Sequence, residues 1–129
     1  MPIKILIVDD SAVDRLAIKK ALNGYLILTA GDGVEALRIL EEHDGIDLLI
    51  LDLNMPKMDG FQVLEALKKD KRFQKLRTIV LTGYDELKNE IKSLKLGAVD
   101  YIRKPIHKDL LKVRIDLHAA LIHAQRRLE

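Results

Sequence analysis

Five short apolar runs, separated by segments whose apolar residues recur every three or four positions, govern what this 129-residue chain can fold into. The runs are Ile3–Val8, Tyr25–Ala30, Asp47–Leu51, Thr78–Leu81 and Ala98–Ile102. The first, third and fourth are nearly unbroken Ile, Leu and Val, the composition of strands covered on both faces. Between the runs, Val13/Leu16/Ala17/Ala21, Val34/Leu37/Leu40, Phe61/Leu64/Leu67 and Leu87/Ile91/Leu94 form stripes of helical period. Ser11 followed by Asp14 has the form of a helix-starting capping box. Asn23-Gly24, Gly31, Gly33, Gly45 and Gly97 fall where elements should end. The order βαβαβαβαβα predicts an α/β domain, doubly wound, with a parallel sheet, right-handed crossovers and helices on both faces.

Composition narrows the function classes. With 48% apolar and 33% charged residues the chain suits one soluble domain with a real core, and it has no repeat or linker. No run approaches the roughly 20 uncharged residues of a membrane helix. The absence of cysteine excludes disulfide frameworks and cysteine-ligated zinc, and fits a reducing compartment. The net charge of +2 hides a division: residues 1–60 hold 11 acids against 6 bases, and residues 61–129 hold 9 against 16. The basic excess lies on predicted helix surfaces such as Lys68, Lys69, Lys88, Lys92 and Lys95, and nothing in it requires nucleic acid.

In a doubly wound sheet, sites form beyond the carboxyl ends of the strands. Asp9, Asp10 and Ser11 follow the first run, Asp52 the third, Thr82 the fourth, and Lys104-Pro105 the fifth. If these strands are neighbours, three carboxylates converge. Two carboxylates about 5 Å apart repel by roughly 3 kcal/mol at an effective dielectric near 20, so such a group calls for a cation. Oxygen-only ligands favour a hard ion such as Mg²⁺. Lys104 adds positive charge and Thr82 a hydroxyl, which together suit a phosphoryl group carried on a carboxylate. The turn after the first run carries neither GxGxxG nor GxxxxGK[ST], so nucleotide binding of those kinds is excluded.

Over about residues 3–122 the chain resembles the receiver domain of two-component response regulators. The resemblance rests on Ile5-Leu6-Ile7-Val8-Asp9-Asp10-Ser11, on Asp52-Leu53-Asn54-Met55-Pro56-Lys57-Met58-Asp59-Gly60, on Thr82, on Gly97-Ala98-Val99-Asp100-Tyr101 and on Lys104-Pro105. It implies a flavodoxin-like five-stranded sheet of order 2-1-3-4-5 with five helices. It implies Asp52 as phosphoacceptor from a sensor histidine kinase or phosphotransfer protein. It also implies Mg²⁺ held by Asp9, Asp10, Asp52 and the Asn54 carbonyl. Thr82 and Lys104 are then the phosphoryl contacts, Thr82 and Tyr101 the switch pair, and Lys104-Pro105 a cis bond. Such a protein is a cytoplasmic signalling switch, catalysing only its own phosphorylation and dephosphorylation, that changes its helix 4/strand 5/helix 5 surface to regulate an effector or dimerisation. Four positions stand apart: Gly83 replaces a usual alanine, His107 stands at the usual cap of the last helix, and Asn54 and Tyr84 lie where the family tunes dephosphorylation.

The last helical segment, 108–129, carries two stripes. Leu110, Val113, Leu117, Leu121, Ala124 and Leu128 form one, expected to pack on the sheet. Leu111, Ile115 and Ile122, with His118 between, form the other, expected to be a partner surface for a homodimer. His118 and His123 are five apart, off the spacing of a helical metal pair, and are expected to face solvent. Residues 1–122 are therefore expected to be the receiver, and 123–129 an extension toward an effector domain outside this chain. Two rival readings are an aspartate-nucleophile phosphatase of the haloacid dehalogenase type and an unphosphorylated structural interaction domain. The first normally carries Asp-x-Asp after its first strand, whereas Asp9 and Asp10 are adjacent.

Overall fold

The computed structural model describes residues 2–83 and 85–129, so Tyr84 lies outside the described residues. The elements are β1 (Lys4–Val8), α1 (Ala12–Ala21), β2 (Leu26–Ala30), α2 (Gly33–Glu42), β3 (Leu48–Asp52), α3 (Gly60–Lys68), β4 (Arg77–Thr82), α4 (Leu87–Lys95), β5 (Asp100–Arg103) and α5 (Lys108–Leu128). A 3₁₀ turn, Lys71–Phe73, precedes β4. The sheet is parallel throughout, in the order β2-β1-β3-β4-β5.

Alternation along the buried strands divides the core in two. Ile5, Ile7, Leu48, Ile50, Ile79 and Leu81 point to the face covered by α1 and α5, where they meet Ile18, Leu22, Leu111, Ile115 and Ile122. Leu6, Val8, Leu49, Leu51 and Val80 point to the other face and meet Ala36, Ile39, Val63, Leu64 and Leu67. Each fully buried Leu or Ile contributes about 1.5–3 kcal/mol by leaving water, and a one-residue register slip would exchange the two faces. The register is thus fixed by burial on both sides. It aligns Val8 with Leu51, Asp52 with Leu81 and Thr82 with Arg103, bringing the carboxyl ends of β1, β3, β4 and β5 to one edge.

Four helix expectations change. In α2, Val34 is exposed, and Ala36 and Ile39 join Leu40 in the core. In α1, Val13 and Leu16 are exposed, and Ile18 and the following Leu22 are the buried anchors. In α4 the apolar stripe Leu87/Ile91/Leu94 faces outward, while Glu90 and Ser93 are buried. In α5 the two stripes are exchanged. Leu111, Ile115 and Ile122 belong to the core and offer no partner surface, while Val113 (64% exposed) and Leu117 (59%) face outward. The physical reason lies in the polar residues flanking the buried stripe. His118 bonds Asp100 of β5, Arg114 bonds the Tyr101 carbonyl, and Asp116 accepts from Tyr25, so this side of α5 has partners on the sheet. His118 is accordingly buried, between Asp100 and Arg77, rather than solvent-facing.

Candidate functional site

The loop after each strand is held by local chemistry before any long-range contact is made. Ser11 Oγ accepts the Asp14 amide at 3.2 Å and starts α1. Asp59 and Gln62 form a reciprocal capping box at the start of α3. Gly60 follows because nothing larger fits: a Cβ there would lie 2.6 Å from the Asp52 carbonyl oxygen and 2.7 Å from Leu53 Cα. The 53–59 loop is thereby folded back on the end of β3. His107 caps α5 after all, its Nδ1 accepting the Leu110 amide at 3.3 Å.

Asp9 and Asp52 are both buried, and Asp10 is exposed. One carboxylate oxygen from each of the three lies within 4.8 Å of the others. Asp9 Oδ1 accepts the Ser11 amide at 2.9 Å. Asp9 Oδ2 is buried without a well-aligned hydrogen bond, and its counter-charge is Lys104 Nζ at 2.9 Å. Asp52 Oδ1 accepts the Asn54 amide at 3.2 Å, and Asp52 Oδ2 lies 3.4 Å from the same ammonium. Asp14 completes the ring around Lys104 at 3.1 Å, a role its capping position in the sequence does not reveal. The peptide bond between Lys104 and Pro105 is cis, and the Lys104 amide donates to the Thr82 carbonyl at 2.7 Å.

These charges act on one another. Burial, and then the neighbouring Asp9 carboxylate, push the Asp52 carboxyl up to about 7, against the opposing pull of Lys104. Burial disfavours the Lys104 charge, but Asp9, Asp52 and Asp14 outweigh it and hold its pKa above the ordinary lysine value. An oxygen-only trio with a buried, poorly satisfied Asp9 oxygen fits a hard divalent cation, which would take over part of the compensation Lys104 now supplies.

Thr82 is buried at the end of β4, and its hydroxyl donates to Glu90 Oε2 at 3.0 Å. Tyr101 is half-buried beside the α2/α3-side core, with the Arg103 guanidinium 5.7 Å from its ring centre. Sequence reasoning missed Glu90 and Arg103. Glu90 stands on α4 beside the apolar positions, and no motif marks it.

A doubly wound parallel domain with an acidic pocket, a lysine and a threonine at its carboxyl edge has the architecture of a signalling receiver. The chain belongs to the family described as the response regulator receiver domain, whose model matches residues 5–116. It is 40% identical over 114 residues to the "Probable transcriptional regulator ycf27" of Guillardia theta, covering 87% of this chain and 43% of that protein. It is 37% identical over 117 residues to "Response regulator MprA" of Mycobacterium ulcerans, covering 89% of this chain and 49% of that one. The chain thus spans less than half the length of these relatives. The chemotaxis response regulator CheY4 of Vibrio cholerae superposes with a TM-score of 0.83 at 29% identity, covering 90% of this chain and 98% of that structure. Among the described residues, no helix is long and apolar enough to cross a membrane.

Proposed function

We propose that this domain is a phosphorylation-controlled switch in which Asp52 takes a phosphoryl group from the phosphohistidine of a sensor kinase or phosphotransfer protein in the cytoplasm. The observation that carries the reading is the convergence of Asp9, Asp10 and Asp52, with Lys104 bridging two of them. An Asp52 carboxylate oxygen forms the new bond to phosphorus as the bond from phosphorus to imidazole nitrogen breaks, and the electron pair stays on that nitrogen. Lys104 offsets charge on the phosphoryl oxygens, and the Thr82 hydroxyl is the donor placed at the adjacent strand end. Asp9, Asp10, Asp52 and the Asn54 carbonyl would hold Mg²⁺, which when bound supplies positive charge opposite those oxygens. The acyl phosphate adds negative charge and acceptor oxygens, and Thr82 and Tyr101 transmit that change to the surface formed by α4, β5 and α5.

Partner docking belongs to the outward stripe of α5. Leu110, Val113, Leu117 and Leu121 are exposed along α5, and we read them as the surface for a second copy of the chain. The length of the curated relatives beyond the matched region supports an accompanying output domain, with residues 123–129 as the continuation of α5 toward it.

The test is intact-mass measurement after incubation with acetyl phosphate and Mg²⁺. The expected result is gain of one base-labile phosphoryl group by the wild type and none by Asp52→Asn. Retention of the gain in that variant would remove Asp52 from its role, and sustained turnover of a phosphate ester would favour a phosphatase.

A further inference from the structure

Thr82 has one hydroxyl proton, and it is committed. It donates to Glu90 Oε2, so it cannot at the same time donate to an oxygen carried on Asp52. Glu90 is 1% exposed and sits on α4, eight residues beyond Thr82 in sequence. Its carboxylate is fixed by Arg103, which donates from Nε to Oε2 at 2.8 Å and from NH2 to Oε1 at 2.9 Å. These Arg103 hydrogen bonds hold the Glu90 carboxyl below the usual carboxylate range, against the effect of burial, so the acceptor facing Thr82 is an anion. Charge-assisted hydrogen bonds are about twice as strong as neutral ones. The same guanidinium lies over the Tyr101 ring.

We propose that Glu90 is a positioning residue that withholds the Thr82 hydroxyl from the phosphoryl site in the unphosphorylated protein, with Arg103 as the strut that keeps Glu90 in place. The inference rests on the receiver reading of Asp52 and deepens it. Release is reversible because Glu90 keeps both Arg103 bonds when Thr82 leaves, so no buried charge is stranded. The phosphoryl oxygens must compete with the Glu90 carboxylate for one proton, and this sets how readily the switch turns. Arg103 touches both Glu90 and Tyr101, so departure of Thr82 is felt at the aromatic ring through a contact on β5 itself.

The probe is beryllium trifluoride with Mg²⁺, a mimic of the phosphoryl group that binds without covalent chemistry. Affinity is measured by NMR titration for wild type, Glu90→Gln, a weaker neutral acceptor, and Glu90→Met, which accepts nothing from Thr82. Binding should tighten stepwise from wild type to Gln to Met, reaching about tenfold, a factor that corresponds to about 1.4 kcal/mol. In a Thr82→Val background the Glu90 substitutions should change affinity less than about twofold, since there is no hydroxyl left to withhold. In the wild type, the Glu90 carboxyl carbon resonance should shift on loading, a readout that needs no variant to fold. Unchanged or weaker binding by both Glu90 variants, persistence of the effect without the Thr82 hydroxyl, or an unmoved Glu90 resonance in loaded wild type each overturns the proposal. Failure of the wild type to bind the mimic at all is the separate result that removes the receiver reading, and the latch with it.

Discussion

Lys104 Nζ stands 3.4 Å from Asp52 Oδ2, across the carboxyl edge of the sheet, and it is the neighbouring cation that offsets the burial of that carboxylate. The compensation is incomplete, because Asp9 claims the same ammonium at the shorter distance of 2.9 Å. Asp52 therefore titrates at about 7 in the fold against 3.8 ordinarily. Between those values the native state retains a proton that the unfolded chain has released, so stability falls as pH rises through this window. The full shift represents up to about 4 kcal/mol, and local water reduces it. Asp52→Asn should thus gain on the order of 2 kcal/mol over wild type at pH 8 in chelator, and progressively less toward pH 5. Thermal melts of both proteins across that range check it, and a pH-independent difference would contradict the electrostatic origin.

The same strain predicts how the protein answers a divalent ion. Anything that binds only the folded state stabilises it by mass action, about 1.4 kcal/mol at ten times the dissociation constant. For a domain of this size that corresponds to about 3–6 °C in melting temperature. Mg²⁺ should raise the wild-type midpoint by this order, and a chelator should return it. Asp9→Asn should lose most of the response, because it removes the buried carboxylate whose Oδ2 is poorly satisfied without a cation. An undiminished Mg²⁺ response in Asp9→Asn would place the ion elsewhere.

Strand positions and pocket residues were legible because both are written locally. Unbroken apolar runs such as Leu48–Leu51 announce a strand covered on both sides, and the acids that follow such runs fall at the sheet edge by topology alone. Which side of a helix turns inward was not legible. In α4 and α5 two faces compete, and periodicity marks a stripe without naming its partner. The decision came from polar residues: Glu90 went inside because Arg103 and Thr82 could satisfy it, and His118 because Asp100 could. Such pairings join residues on different elements, and nothing in the linear pattern of either partner records them.

The exchanged stripes of α5 have a direct thermodynamic consequence. Ile115 is fully buried among the core residues under α5, so Ile115→Ala leaves a cavity and should cost about 2–5 kcal/mol in urea unfolding. Leu117, two residues on, is 59% exposed, and Leu117→Ala should change monomer stability by less than about 0.5 kcal/mol. The order inverts for association. If the outward stripe seats a second copy, Leu117→Asp should lower the sedimentation mass of any dimer formed by the wild type, since a charge would then be buried at the contact. Equal stability losses at Ile115 and Leu117 would contradict the orientation of the helix. A dimer that Leu117→Asp leaves intact would move the contact to another surface.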